Sequence, residues 1–293
     1  MDSARISELL TPFLNPAEDL TPRTQDLASS ISTYINILIR WNSRINLTAI
    51  RDPEEIVTRH FGESLFAARH LFPAKNYPGS MPAAPEMNHV TNDVTNHVGT
   101  AAPGRPAEQS SAAAEVTPCA CASQNKTVSI IGRGRAALQG REKVKKKTGV
   151  LAPEAAHYSL ADIGSGAGFP GIPIKLWAPH VSLTLIESNL KKATFLREVV
   201  RALTLTDINI QNARAETLPP ASFEVVTLRA VERFHSILPV AANMVAPGGR
   251  LALLIGSSQF GSADQALANY SCSKPLRIPF SKSRILVIAQ RRS

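Results

Sequence analysis

The chain is predicted to be an α/β protein: a mostly parallel sheet with helices on both faces, an antiparallel last strand and a helical N-terminal extension. Three observations predict this. Beyond residue 157 short apolar strands alternate with helical segments, the pattern of a parallel sheet with crossover helices. The first strand runs directly into Asp162-Ile163-Gly164-Ser165-Gly166-Ala167-Gly168-Phe169-Pro170-Gly171, a turn that only glycines make easily. Residues 1–73 instead repeat their apolar side chains at helical spacing.

Within 1–73, Thr21 is placed to cap a helix that has Pro22 at its first position. Leu27, Ile31, Tyr34, Ile35, Leu38 and Trp41 then form one apolar face. Asp52-Pro53-Glu54-Glu55 opens a further helix, with Ile56, Phe61, Leu65 and Phe66 apolar. Residues 74–157 differ in kind. They are rich in Pro, Ala, Ser, Asn and Thr without sustained periodicity, and are expected to be a disordered insertion. Val128 to Ile131 is their one candidate strand, and Lys143-Val144-Lys145-Lys146-Lys147 is expected to be a solvated tether. Residues 158–293 carry strands at 159–163, 181–186, 208–211, 223–228, 250–255 and 284–289. Helices are expected at 170–177, 190–203 and 234–245, and Pro247-Gly248-Gly249 as a turn.

Composition narrows the function classes. Of 293 residues 44% are hydrophobic and 19% charged, enough apolar material for a packed core. The net charge of +9 favours a polyanionic partner. No apolar run approaches the roughly 20 residues of a membrane span. No basic start followed by an apolar stretch marks a secretory signal. Cys119, Cys121 and Cys272 suggest neither a disulfide framework nor a zinc site. A cytoplasmic monomer without metal or membrane association is the expectation.

The glycine loop carries the chemistry. It lies at the carboxyl end of the first strand, where open α/β sheets bind ligands. Gly166-Ala167-Gly168-Phe169-Pro170-Gly171 satisfies the dinucleotide pattern, so the loop alone admits a nicotinamide cofactor or S-adenosylmethionine. Glu187, about twenty residues on at the end of the second strand, suits the ribose hydroxyls in either case. Asp162, two positions before the first glycine, tilts the choice to S-adenosylmethionine, because methyltransferases place an acid there near the methionine part. After the fourth strand, Thr227-Leu228-Arg229-Ala230 shows no His or Lys proton relay of the dehydrogenase kind.

Further residues give a specific resemblance. They are Trp41-Asn42, Ile45-Asn46-Leu47-Thr48-Ala49-Ile50, Arg59-His60-Phe61 and Glu63-Ser64-Leu65, then the segment from Asp162 to Pro173 with Lys175. Glu187-Ser188, Lys191-Lys192, Phe195-Leu196, Arg214-Ala215-Glu216, Arg229-Ala230 and Gly248-Gly249 complete them. In these the chain resembles the bacterial small-subunit (16S) ribosomal RNA guanine-N7 methyltransferases, also called glucose-inhibited division protein B. It departs from them in the insertion at 74–157 and in Glu63, where the family commonly has aspartate.

The resemblance implies a class I S-adenosylmethionine-dependent methyltransferase with a Rossmann-like core at 158–293, acting on 16S rRNA free or within the small subunit. It implies that Gly164 and Phe169 bound the cofactor. Gly166 and Gly168 join the cofactor set from the loop itself, since glycines let the backbone approach a ligand closely. Ala215 and Glu216 would pack around its adenine, and Arg229 would line the site and position base or cofactor. Asp162 and Glu187 join the cofactor set from sheet geometry. Arg40, Arg44, Arg51 and Arg59 are candidates to hold the RNA backbone. The competing readings are an NAD-dependent oxidoreductase on the same loop and a ribosome-assembly factor without catalysis.

Overall fold

A computed structural model describes residues 1–14, 23–73, 158–229 and 233–292. The Thr21 cap with Pro22, and everything expected of 74–157, lie outside the described residues. The N-terminal part is helical, as its periodicity requires. Helix α1 (Ser3–Leu10) leads into a single 3₁₀ turn, Thr11–Phe13. Helix α2 (Arg23–Asn42) buries Leu27, Ile31, Tyr34, Ile35 and Leu38, the face its spacing predicts. Asp52 caps α3 (Pro53–Ile56) by accepting from the Glu55 amide at 2.8 Å. The chain then widens into a π-helical segment, Val57–Gly62, before α4 (Glu63–Leu71). That widening is not visible in apolar spacing. Gly62 sits against Phe13 so closely that a Cβ would lie 2.6 Å from the ring.

The sheet begins with β1 (Ser159–Ile163), β2 (Ser182–Ile186), β3 (Ile208–Gln211) and β4 (Phe223–Arg229). It continues with β5 (Val245–Gly256), β6 (Tyr270–Cys272), β7 (Leu276–Arg277) and β8 (Arg284–Arg291). Its order is β3-β2-β1-β4-β5-β8-β6, with β7 also paired to β8. Strands β1 to β5 run parallel, and β8 returns antiparallel to β5. The order therefore reverses between β1 and β4, the switch point at which such sheets hold ligands. Crossovers are α5 (Gly171–Trp177), α6 (Leu190–Ala202) and α7 (Phe234–Met244). A short helix, α8 (Phe260–Ala266), follows β5. It and the short strands β6 and β7 lack a readable period. Pro247-Gly248-Gly249, expected as a turn, lies within β5 instead. Pairing there jumps from Phe223 opposite Val245 to Val225 opposite Arg250, so the segment is an irregularity in a strand.

One apolar core takes in Ile31 and Tyr34 of α2, Leu65 of α4, Leu160 and Leu183 of the sheet and Phe195 of α6. The helical extension and the sheet are thus packed as one body. A second cluster on the other face joins Val226 and Leu253 to Leu238 and Met244 of α7. Lys175, buried in α5, donates to the carbonyls of Pro179 and Val181 at 2.7 and 2.6 Å, which fixes the turn into β2.

Candidate active site

Strand β1 ends in the glycine loop. Gly164, Gly166 and Gly168 all have positive φ, at 67°, 55° and 84°. Gly168 is doubly constrained, since a Cβ there would lie 2.2 Å from the Tyr34 hydroxyl. That hydroxyl donates to the Ala167 carbonyl at 2.5 Å, tying α2 to the loop.

Two carboxylates brace the loop from below. Asp162 is buried. Its Oδ1 accepts from the Thr227 hydroxyl at 2.8 Å and its Oδ2 from the Gly171 amide at 3.2 Å. Burial pushes its carboxyl up to about 6, against the pull of these donors and of Arg229. Glu187 accepts from the Gly166 amide at 2.9 Å and the Asn189 amide at 2.7 Å. Asn189 in turn caps α6 by accepting from the amides of Lys191 and Lys192.

Above the loop, at the carboxyl ends of β1 and β2, lies a cleft of about 460 Å³. Gly164, Glu187, Ala215 and Glu216 line it, with Ile186 and Ile237 as apolar walls. Lys192, Arg214 and Arg233 supply cations to the same lining. The structure therefore gathers four of the predicted residues here. Asp162, Gly166, Gly168, Phe169 and Arg229 do not line it: Gly166 and Gly168 lie within the loop, Asp162 and Phe169 support it, and Arg229 belongs to a neighbouring cluster.

Phe169 is buried, sandwiched between rings rather than laid over the cleft. Tyr34 stacks on one side at 5.4 Å and His60 at 4.8 Å, with Phe61 edge-on at 5.0 Å. The ring locks the N-terminal helices to the loop.

Arg229, at the end of β4, is paired with neither Glu187 nor Glu216. Its Nη2 donates to Glu63 Oε2 at 3.0 Å and to the Arg59 carbonyl at 2.7 Å, and faces His60 Nδ1 at 3.1 Å. Glu63 is 1% exposed and is also the partner of Arg284 at 2.5 Å and of Arg59 at 3.5 Å. The Nε of Arg229 is buried and has no hydrogen-bond partner among the described residues. Burial lowers the pKa of this guanidinium from its ordinary value, and Glu63 opposes that. Composition and periodicity give Glu63, Arg284 and Tyr34 no site role. The one local signal was Arg59 and Glu63 at a spacing of four on one helical face.

The contacts also fix the state of His60. A guanidinium cannot accept, so Nδ1 accepts and Nε2 carries the hydrogen toward Thr48 Oγ1 at 2.7 Å. Burial, then Arg229, Arg284 and Arg59, bring its pKa down to about 3 from 6.5. The unfolded chain would take up this proton near pH 6.5 and the folded chain only near 3. His60 thus contributes stability above pH 6.5 that is lost as the pH falls toward 3. Asp162 acts oppositely, because its raised carboxyl is relieved as the pH falls through 6. The expected result is a His60 ring still neutral at pH 5, read by nitrogen chemical shifts. A protonated ring at that pH would contradict the arrangement.

The family model described as rRNA small subunit methyltransferase G matches residues 27–77 and 149–287, well over half of the chain. The chain belongs to this family. A ribosomal RNA small subunit methyltransferase G of Xylella fastidiosa (strain 9a5c) is 27% identical over the whole of both chains. One of Xanthomonas campestris pv. campestris (strain B100) is 27% identical over 79% of this chain and 70% of its own. Among solved structures, M. jannaschii TYW2 in complex with AdoMet is 15% identical, covering 47% of this chain and 70% of that one, with a TM-score of 0.41. As a member of the rRNA small subunit methyltransferase G family, the protein is an S-adenosylmethionine-dependent enzyme that methylates small-subunit rRNA, and the oxidoreductase and non-catalytic readings are not favoured. The cleft fits that cofactor: carboxylate acceptors, apolar walls and cations meet in one place. Among the described residues no helix is long and apolar enough to cross a membrane.

Proposed function

We propose that this methyltransferase modifies N7 of a guanine in 16S rRNA and that Arg229 presents the base. The observation that carries the proposal is the buried Nε of Arg229 at the carboxyl end of β4, which has no hydrogen-bond partner among the described residues. A guanidinium donates and never accepts a proton. It therefore suits the O6 acceptor of guanine beside N7, and leaves the N7 lone pair free. N7 has an exposed lone pair and no proton at neutral pH, so no general base is required. S-adenosylmethionine, when bound, supplies an electrophilic methyl group on a sulfonium.

In this reading Glu187 accepts from the ribose hydroxyls with the lone pairs its two amide contacts leave over. Ala215 and Glu216 bound the adenine against Ile186 and Ile237, and Gly164 forms the floor. Asp162, Gly166, Gly168 and Phe169 hold the loop in shape rather than touching the cofactor. Glu63 offsets the guanidinium beside a purine that itself becomes cationic on methylation. Catalysis then rests on alignment, which contributes roughly 7–11 kcal/mol for well-oriented pairs.

The test is mass mapping of 7-methylguanosine in 16S rRNA from cells with and without the gene. One modified guanine should disappear and return with the wild-type gene. Arg229→Ala should lower kcat/KM on the order of 10²-fold or more, the usual effect of removing one preorganised donor. Full methylation by that variant would refute the role given to Arg229.

A further inference from the structure

The hairpin joining β7 to β8 has a composition the cofactor cleft does not explain. Residues 274–284 contain Lys274, Arg277, Lys282 and Arg284 and not one acid. Phe280, at the tip, is 73% exposed, more than any other large apolar side chain among the described residues. Its φ is 57°, an outlier for a bulky side chain. Ordinary packing leaves such a ring neither exposed nor strained.

The hairpin abuts the Glu63 cluster on two sides. Arg284, at its base, pairs with Glu63. The Phe280 ring stands edge-on to Phe13 at 5.8 Å, and Phe13 packs on Gly62, the residue before Glu63. The π-helical segment therefore brings Arg59 to the same surface. There one carboxylate serves three guanidiniums, and Arg59 has one further, exposed partner in Glu55 at 3.4 Å. Arg59 and Arg284 remain 41% and 29% exposed, so the cluster opens to solvent through them. None of these residues lines the cofactor cleft.

We propose that this surface docks an unpaired segment of the RNA substrate, with a backbone phosphate between Arg59 and Arg284 and a base stacked on Phe280. The chemistry is the one single strands require: cations that track the phosphates and an aromatic face that accepts any base. Arg284 enters at the start of β8, which pairs with Gly256 at the end of β5. The surface thus lies on the carboxyl edge of the sheet, on the far side of Arg229 from the cleft, where a strand delivering its base to Arg229 would run. The inference rests on rRNA being the substrate, but not on which atom is methylated.

The experiment measures binding of the full chain to unmethylated 16S rRNA transcribed in vitro, over a range of salt, beside its affinity for S-adenosylmethionine. Phe280→Ala should weaken RNA binding on the order of tenfold at every salt concentration, with the salt slope unchanged. Arg284→Gln should flatten the slope of log Kd against log salt by about 0.7, one single-strand phosphate contact. Arg284→Lys should restore the slope, since it keeps the charge. Wild-type RNA affinity in Phe280→Ala would overturn the proposal. So would an unchanged slope in Arg284→Gln, or a loss confined to S-adenosylmethionine, which would give the arginine to the cofactor carboxylate. A methyl group found at another guanine atom would sink the N7 assignment and leave this docking surface standing.

Discussion

Glu63→Gln should abolish most methyl transfer and cost roughly 3–5 kcal/mol of stability, the usual penalty for removing one partner of a buried ion pair. Glu63 is 1% exposed and is the carboxylate that Arg229, Arg284 and Arg59 all face. Glutamine has nearly the same shape, so the loss would come from charge and not from a cavity. Three guanidiniums would then repel one another, and Arg229 would lose the anchor that aims its free Nε. Glu63→Asp keeps the charge on a shorter arm and should recover much of the stability and part of the activity. Chemical denaturation and 7-methylguanosine formation measure the two effects. A glutamine variant as stable and active as wild type would refute the account of the cluster.

The second large effect is expected at Gly168. Gly168→Ala adds a methyl group 2.2 Å from the Tyr34 hydroxyl in a residue whose φ is 84°. Left-handed backbone costs an ordinary residue roughly 1–2 kcal/mol, and overpacking a close contact typically 1–3 more. The loop would shift, breaking the Tyr34 to Ala167 hydrogen bond and tilting the cleft floor at Gly164. Calorimetric titration should show S-adenosylmethionine binding reduced at least tenfold. Tyr34→Phe removes the clashing oxygen but keeps the ring stacked on Phe169. The double variant should therefore lose less than the two single changes summed. Strict additivity would mean that the hydroxyl is not what the new methyl group meets.

Much of this was legible in the sequence, for identifiable reasons. The strand and helix periods are local, so β1 to β5 and the apolar face of α2 could be read off residue by residue. Gly164 and Glu187 follow β1 and β2 directly, and Ala215 and Glu216 lie in a 3₁₀ turn just past β3, so chain order alone puts them on one rim. Phe169 misleads because a large ring in a glycine loop looks like a lid. What buries it is Tyr34 and His60, far away in sequence. Arg229 could be placed at a strand end but its partner could not, since a glutamate on a helix gives no sign of what it faces in space. The π-helical turn that presents Arg59, and the aromatic tip at Phe280, have no periodic signature at all.

The Glu63 cluster has a kinetic consequence. Its hydrogen bonds to Arg229 and Arg284 join residues 166 and 221 positions apart in the chain. Contacts of such separation form late, because the intervening chain must be closed before they return any energy. During synthesis the glutamate is made long before Arg229 and Arg284. The helices that carry it must wait for β8, so competence to methylate should be among the last properties the nascent molecule acquires.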